Sequence, residues 1–128
     1  MALTALIVDD AGFVREILKN LCEASGLIVI GEAAHGQEAV EMAKALSPSL
    51  IFMDLVMPHM NGVQATGLIK ERQPEAIVIA CTTISEAEIL QQAKLAGAQY
   101  ELLKPFTRRE FQQLIQKIVH TQKEVKHA

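Results

Sequence analysis

The sequence lacks several features that mark common classes of protein. Its two cysteines, Cys22 and Cys81, form no C-x-x-C motif, which argues against a zinc site or a disulfide framework. Both are expected to be buried thiols in a reducing compartment. No apolar run approaches the ~18 residues of a membrane span. The apolar run near the start of the chain is not preceded by basic residues, which argues against a secretory signal peptide. The net charge is −3, with basic residues scattered until the tail, so there is no positive field for nucleic acid or anionic membranes.

The chain does have enough apolar content for one core. Of its 128 residues 50% are hydrophobic, which suits one compact domain and leaves no room for a second. We expect the domain to span residues 1–122 and a polar C-terminal tail, residues 123–128, to fray. The expected protein is small, acidic, cytoplasmic and monomeric, and it contacts neither nucleic acid nor membrane.

Short apolar runs alternate with longer amphipathic stretches along the whole chain. This alternation is typical of repeated βαβ units in an α/β protein. The runs are continuous rather than alternating in polarity, which favours strands of a parallel sheet covered by helices on both faces. The predicted strands are residues 5–8, 27–30, 50–53, 76–81 and 102–103.

The amphipathic stretches carry start and stop signals for helices. In the first, apolar residues recur at i, i+3, i+4 and i+7 from Val14 to Leu21, and Gly26 is expected to cap its end. Capping boxes are predicted for the third, fourth and fifth helices, and stop signals follow the second, third and fourth. The boxes are Asn61 with Gln64, Ser85 with Glu88 and Thr107 with Glu110, and the stops are Pro48, Pro74 and Gly97.

Polar residues follow four of the apolar runs directly. Asp9 and Asp10 follow the first, Asp54 the third, Thr82 the fourth and Lys104 the fifth. Open α/β sheets bind ligands beyond the carboxyl ends of their strands, so we expect these five side chains to share one edge. Each alone has a plainer interpretation, because Asp and Thr often cap helices and Lys-Pro often begins a loop. Their joint position is what predicts a site.

Three carboxylates at one edge need a compensating charge. Two like unit charges about 4 Å apart repel by roughly 4 kcal/mol at an effective dielectric of about 20. Mg²⁺ would offset this repulsion, since it binds carboxylates, waters and phosphate oxygens. Asp10 and Asp54 are the expected direct ligands, and Asp9 is expected to act through water.

A carboxylate in such a site can also attack phosphorus and form an acyl phosphate. Asp54 is the expected nucleophile, because it comes from the middle of the chain and so from a central strand. Lys104 would neutralise one phosphoryl oxygen, and the Thr82 hydroxyl would donate a hydrogen bond to another.

Four segments of the sequence together carry a family resemblance. They are Leu-Ile-Val-Asp-Asp at 6–10, Met-Asp-Leu-Val-Met-Pro-His-Met-Asn-Gly at 53–62, Gly-Ala at 97–98 and Lys-Pro-Phe at 104–106. With them the chain resembles the receiver domain of two-component response regulators, and most closely its stand-alone, CheY-like members. The resemblance covers residues 4–119.

The resemblance implies a fold and a phosphorylation site. The fold is flavodoxin-like, a doubly wound sheet of five parallel strands in the order 2-1-3-4-5 with five flanking helices. Asp54 would accept a phosphoryl group from a histidine kinase or a phosphotransfer protein. Mg²⁺ would be held by Asp10, Asp54 and the backbone carbonyl of Val56, and the Lys104–Pro105 peptide would be cis.

The resemblance also implies a switch rather than a turnover enzyme. Phosphorylation would draw Thr82 inward and reshape the face made by the fourth helix, fifth strand and fifth helix, where a downstream target protein binds. A nearly complete shift needs a preference of roughly 5.5 kcal/mol for the active arrangement.

The sequence departs from the family pattern in places that affect the switch. Where the family has a switching Tyr or Phe, three residues before the lysine, this chain has Glu101, and Tyr100 precedes it. Because strand side chains alternate, Tyr100 is expected to point to the other face of the sheet unless the strand is irregular. Apolar Val56 and Ile84 hold the positions that flank the attacking water, which predicts a long-lived acyl phosphate.

Two smaller departures lie nearby. Thr83 stands where the family has a small residue, and it is expected to narrow access to the phosphoryl site. His35 stands at the start of the second helix, where Asp or Asn would cap, and it is interpreted as a surface histidine rather than a metal ligand.

Other functions remain open at this point. A phosphorelay shuttle and a receiver excised from a longer regulator fit the same residues, as does a degenerate receiver that binds partners without phosphorylation. An aspartate-nucleophile phosphatase of the haloacid dehalogenase type would need Asp-x-Asp after the first strand and a cap. A flavin-binding module would need a hydroxyl- and glycine-rich phosphate loop there. Neither feature is found in the sequence.

Overall fold

The computed structural model describes the backbone of residues 3–127 and the side chains of residues 3–123. Strands and helices alternate along the chain, as the apolar runs predicted, with a short 3-10 turn at Ile84–Glu86. The strands are β1 Thr4–Val8, β2 Ile28–Ala33, β3 Leu50–Asp54, β4 Ile77–Thr83 and β5 Tyr100–Lys104. The helices are α1 Gly12–Ala24, α2 Gly36–Leu46, α3 Gly62–Arg72, α4 Ala87–Ala96 and α5 Arg108–His127.

The strands form one parallel sheet in the order β2-β1-β3-β4-β5, which confirms the predicted topology. Four strands continue past the carboxyl ends of their apolar runs, and β2 does so by three residues, to Ala33. Asp54 and Lys104 are the last residues of β3 and β5, and Thr82 lies inside β4, which continues to Thr83. Pairing with neighbouring strands extends the ladders past the apolar residues, so local hydrophobicity alone marked these ends too early.

A separate apolar core covers each face of the sheet. Leu18 of α1 and Phe111 of α5 belong to the core on one face, where the Phe111 ring stacks on Phe52 at 5.5 Å between centroids. The other face packs α2, α3 and α4 through small and aliphatic residues such as Ala65 and Ala93. Burial on both sides explains why the strand sequences are continuously apolar.

The local signals for helix ends were right in most places. Asn61 with Gln64 and Thr107 with Glu110 form reciprocal capping hydrogen bonds. Gly26 follows the end of α1 with a φ of 83°, a left-handed value that favours glycine.

The prediction for the fourth helix was wrong. Ser85 is inside the 3-10 turn, where its hydroxyl lies 2.8 Å from the Thr83 hydroxyl, and α4 begins after Glu86 without a side-chain cap. His35, interpreted as a surface histidine rather than a metal ligand, is half-exposed, and its Nδ1 accepts a hydrogen bond from the Glu38 N–H and so caps α2.

The predicted domain boundary at residue 122 is not marked by an end of α5, which continues to His127. Ala128 and the side chains of 124–127 lie outside the described residues, so the polar tail of residues 123–128 stays a prediction. Within residues 3–127, no helix is both long and apolar enough to cross a membrane. Cys22 and Cys81 are free and buried, as expected.

Candidate functional site

The carboxyl ends of β1 and β3 bring three carboxylates together. Asp9 and Asp10 follow β1 directly, and Asp54 ends the adjacent strand β3. Each of the three offers an oxygen that lies within 4.8 Å of the others. Hard anionic oxygens at this spacing are the donor set that Mg²⁺ prefers, so the residues present fit such an ion.

Lys104 places a positive charge among these carboxylates. Its ammonium lies 2.8 Å from Asp9 Oδ2 and 3.7 Å from Asp54 Oδ1, although β5 is separated from β1 by two strands. Burial would lower the pKa of Lys104, but the hydrogen bond that its ammonium donates to Asp9 and the charges of Asp54 and Asp9 outweigh burial and raise that pKa. The ammonium therefore stays charged and offsets part of the repulsion within the cluster.

Asp9 and Asp10 have different surroundings although they are neighbours. Asp9 is 2% exposed, and its carboxylate accepts hydrogen bonds from the Ala11 N–H at 2.9 Å and from Lys104. Asp10 is exposed. The oxygens of Asp9 already have partners, which supports Asp10 and Asp54 as direct cation ligands and Asp9 as a ligand through water.

Asp54 is buried, and its ionised form is disfavoured. Its pKa is raised from 3.8 to about 6, and burial is the largest cause. The Lys104 ammonium lowers that pKa, as does the Val56 N–H, which donates to Oδ1 at 3.3 Å. The charges of Asp9 and Asp10 raise it. The position of the Val56 carbonyl in a cation site stays a prediction. Gly62 begins α3 against the Asp54 backbone, where an added Cβ would collide with the Asp54 carbonyl oxygen and with Leu55.

This raised pKa predicts a pH-dependent stability. Between about pH 4 and pH 6 the folded protein keeps a proton on Asp54 that the unfolded chain has lost, so the free energy of unfolding falls as pH rises. Above about pH 6 the full cost, roughly 3 kcal/mol, is present. Asp54→Asn removes the charge. In metal-free buffer with EDTA, we expect urea unfolding to show the variant more stable than wild type at pH 8 and equal to it near pH 3. Equal stability at pH 8 would contradict this assignment.

Thr82 lies one residue beyond Cys81, the register partner of Asp54 on β4. Its side chain is buried, and alternation places it on the face opposite the Cys81 thiol, toward α4. Its hydrogen bond to a phosphoryl oxygen stays a prediction.

The aromatic residue of β5 lies on the opposite face from Thr82. The strands β4 and β5 pair without interruption, so β5 has no irregularity that would turn Tyr100. Tyr100 packs into the core beside α5, with the Lys117 ammonium 5.9 Å from its ring centroid. Glu101 takes the place expected for a switching aromatic and pairs with Lys94 of α4 at 3.3 Å. The alternation argument was therefore right.

The sequence reasoning missed two residues near the site. Arg15 and Glu32 meet beside Asp9 at the ends of β1 and β2. Arg15 lies one helical turn after the aspartates, but nothing in that spacing singles out Glu32, which comes from another strand. The implied cis peptide at Lys104–Pro105 is present.

Comparison with known proteins gives consistent matches. A family model described as the response regulator receiver domain matches residues 5–116. The chemotaxis protein CheY of Thermotoga maritima is 42% identical over 106 residues, which cover 83% of this chain and 88% of that protein. The REC domain of AraT, a response regulator from Geobacillus stearothermophilus, superimposes with a TM-score of 0.90 at 26% identity, covering 98% of this chain and 99% of that chain.

A further solved structure is a chain of the CheX–CheY–BeF₃–Mg²⁺ complex from Borrelia burgdorferi. It matches with a TM-score of 0.85 at 27% identity and covers 91% of this chain and 89% of that chain. Together with the acidic cluster and the sheet order, these matches identify the family: the chain belongs to the response regulator receiver domains and is similar to CheY over most of its length.

Proposed function

We propose that this protein accepts a phosphoryl group on Asp54 and signals through a change in its contacts with other proteins. The observation that supports this most is the meeting of Lys104 with Asp9 and Asp54 beside Asp10. This arrangement supplies a nucleophile, a fixed positive charge and ligands for a cation at one solvent-accessible edge. Phosphoryl transfer needs mainly such positioning and charge neutralisation.

In the proposed reaction, an oxygen of the ionised Asp54 carboxylate attacks the phosphorus of a phosphohistidine. The new bond joins that oxygen to phosphorus, the phosphorus–nitrogen bond breaks, and its electron pair returns to the imidazole of the donor. Lys104 turns from the carboxylates toward one phosphoryl oxygen, and Thr82 donates its hydroxyl to another. Asp10, Asp54 and the Val56 carbonyl would hold Mg²⁺, which would supply positive charge to neutralise the phosphoryl oxygens.

The proposed partners are a histidine kinase or a phosphotransfer protein upstream and a target protein downstream. Similarity to CheY favours a role in chemotaxis, and the Borrelia complex, which holds CheX, CheY, BeF₃ and Mg²⁺, is an example of such an assembly in the family. The face formed by α4, β5 and α5 is the proposed target surface. We propose a cytoplasmic monomer that acts by binding rather than by turnover; a phosphorelay shuttle or a receiver from a longer regulator is the alternative.

The proposal is tested by a small phosphoryl donor. After incubation with acetyl phosphate and Mg²⁺, intact mass spectrometry is expected to show one added phosphoryl group, and EDTA in place of Mg²⁺ is expected to suppress it. An unchanged mass under both conditions would contradict phosphoryl acceptance and leave a receiver that binds partners without modification. Release of phosphate at a steady rate, without an accumulated adduct, would instead support a phosphatase.

The lifetime of the adduct gives a second test. Val56 and Ile84 are apolar and are 51% and 79% exposed, so neither orients an attacking water. Val56→Asn supplies a hydrogen-bonding amide, and we expect the phosphorylated variant to lose its phosphoryl group about tenfold faster than wild type. Leu46→Asn, at the end of α2, serves as a matched control with the wild-type rate. Equal or slower loss in Val56→Asn would count against this role.

A further inference from the structure

Arg15 connects α1 to the ends of two strands beside the acidic cluster. Its Nη1 donates to the main-chain carbonyl of Asp9 at 2.6 Å, and its Nε lies 3.3 Å from Glu32 Oε1 on β2. The two side chains are only 22% and 37% exposed. A charge-assisted hydrogen bond of this kind is stronger than one between neutral groups. Arg15 therefore fixes the backbone at Asp9 rather than covering the surface.

Asp9 is held through each of its polar groups. Its N–H donates to the Ala33 carbonyl at 3.0 Å, and its two carboxylate oxygens accept from the Ala11 N–H and the Lys104 ammonium. Arg15 binds the remaining group, the carbonyl. That carbonyl belongs to the planar peptide that joins Asp9 to Asp10. Its orientation sets the direction in which the next residue leaves the strand.

Asp10 depends on this backbone for its position. Its side chain is exposed at the mouth of the cluster, unlike that of the buried Asp9. The peptide whose carbonyl Arg15 binds leads directly into Asp10, and an oxygen of the Asp10 carboxylate lies within 4.8 Å of one of Asp54. Glu32 pairs with the guanidinium and offsets its charge. The Arg15 side chain therefore repels an incoming cation less than an unpaired guanidinium would.

We propose that Arg15, anchored by Glu32, is a positioning residue that aims Asp10 for cation binding through the Asp9–Asp10 peptide. This inference rests on the proposed function, because it assigns Arg15 to the same cation site. Outer residues that orient ligands typically change metal affinity by roughly 10- to 100-fold when they are replaced.

The sign of the effect distinguishes positioning from simple electrostatics. Arg15→Ala removes a positive charge beside the carboxylates, which by charge alone would strengthen cation binding. The positioning role predicts the reverse, an Mg²⁺ dissociation constant about tenfold higher by isothermal titration calorimetry. Arg15→Lys retains a charged donor but not the fork that reaches both Asp9 and Glu32, so it is expected to recover only part of the affinity.

A metal-free measurement gives an independent readout. In EDTA, the Asp10 backbone amide resonance is expected to shift in Arg15→Ala and to return toward the wild-type position in Arg15→Lys. Arg72→Ala removes an equal charge from the end of α3 at the opposite edge of the sheet, and it should leave both readouts unchanged. Should Arg15→Ala fail to fold, Arg15→Met, which keeps much of the apolar stem but has neither charge nor N–H donor, gives the same test of whether Mg²⁺ binding weakens or strengthens.

The outcomes separate this inference from the proposed function. Weaker Mg²⁺ binding by Arg15→Ala or Arg15→Met with a shifted Asp10 amide supports the positioning role. Equal or tighter binding by these variants, while wild type binds Mg²⁺, overturns the positioning role and leaves the proposed function standing. A wild-type protein that fails to bind Mg²⁺ overturns both.

Discussion

Replacing Asp54 with Asn is expected to abolish phosphoryl transfer to this protein. The amide keeps the size of the carboxylate, but its oxygen is a poor nucleophile and cannot form a stable acyl phosphate. Intact mass spectrometry after incubation with acetyl phosphate and Mg²⁺ should show no adduct. The loss should be complete, because Asp54 is the proposed nucleophile and no other carboxylate of the cluster lies on the central strand β3. Its Oδ1 lies 3.7 Å from the Lys104 ammonium, which would neutralise the phosphoryl group.

Two control variants, one inside the site and one far from it, make this result specific. Asp10→Asn removes a proposed cation ligand but not the nucleophile, so we expect slower phosphorylation that higher Mg²⁺ partly restores. Glu75→Gln, an exposed residue just before β4, removes a carboxylate at the opposite edge and should react like wild type. An adduct of wild-type yield on Asp54→Asn would assign the nucleophile to another residue and overturn the proposed role of Asp54.

Replacing Lys104 with Met is expected to destabilise the metal-free protein by about 2–4 kcal/mol. The methionine keeps most of the apolar stem, so the loss isolates the ammonium. Without that charge, Asp9, 2% exposed, keeps the Ala11 N–H but loses its ion pair, and Asp54 loses its nearest positive charge. Urea unfolding at pH 8 in EDTA measures the change, which is opposite in sign to that expected for Asp54→Asn.

Mg²⁺ and a matched lysine provide the controls for this prediction. Mg²⁺ at about a hundred times its dissociation constant stabilises a folded protein by roughly 2.7 kcal/mol. Because Lys104→Met lacks the ammonium that competes with the cation, Mg²⁺ should stabilise it more than wild type. The difference in free energy of unfolding between the two proteins should therefore become smaller. Lys94→Met breaks a half-exposed pair with Glu101, which should cost less than about 1 kcal/mol. Equal losses for the two lysine variants would show that the Lys104 charge does not hold the cluster together.

Much of the fold could be predicted because its signals are local. Continuous apolar runs identified the strands, and the capping boxes at Asn61 and Thr107 depend on residues three positions apart. The same reasoning failed at Ser85, where a competing hydrogen bond with Thr83 and a 3-10 turn replaced the expected cap. The carboxyl ends of β2, β3, β4 and β5 were also missed, since pairing with neighbouring strands carries a ladder past the apolar run.

The sequence predicted which edge of the sheet carries the site residues, but not the distances between their side chains. The rule that polar residues at strand ends share an edge placed Asp9, Asp54 and Lys104 together, and alternation placed Tyr100 on the face away from Thr82. The pair of Arg15 and Glu32 was not foreseen. Even with the strand order predicted, no local pattern relates a residue on α1 to one on β2, because their contact depends on how the helix packs against the sheet.

The sequence by itself determined the alternation of strands and helices, the residue types available for phosphoryl chemistry and the face of β5 that carries Tyr100, because each follows from spacing along one element. Only the tertiary structure decided that Lys104 contacts Asp9 across 95 positions, that Asp54 is buried enough to raise its pKa to about 6, and that Arg15 holds the Asp9 carbonyl. Such contacts depend on strand order, register and the depth of packing. These are set by the whole chain at once, since the central strands β3 and β4 must bury both of their faces.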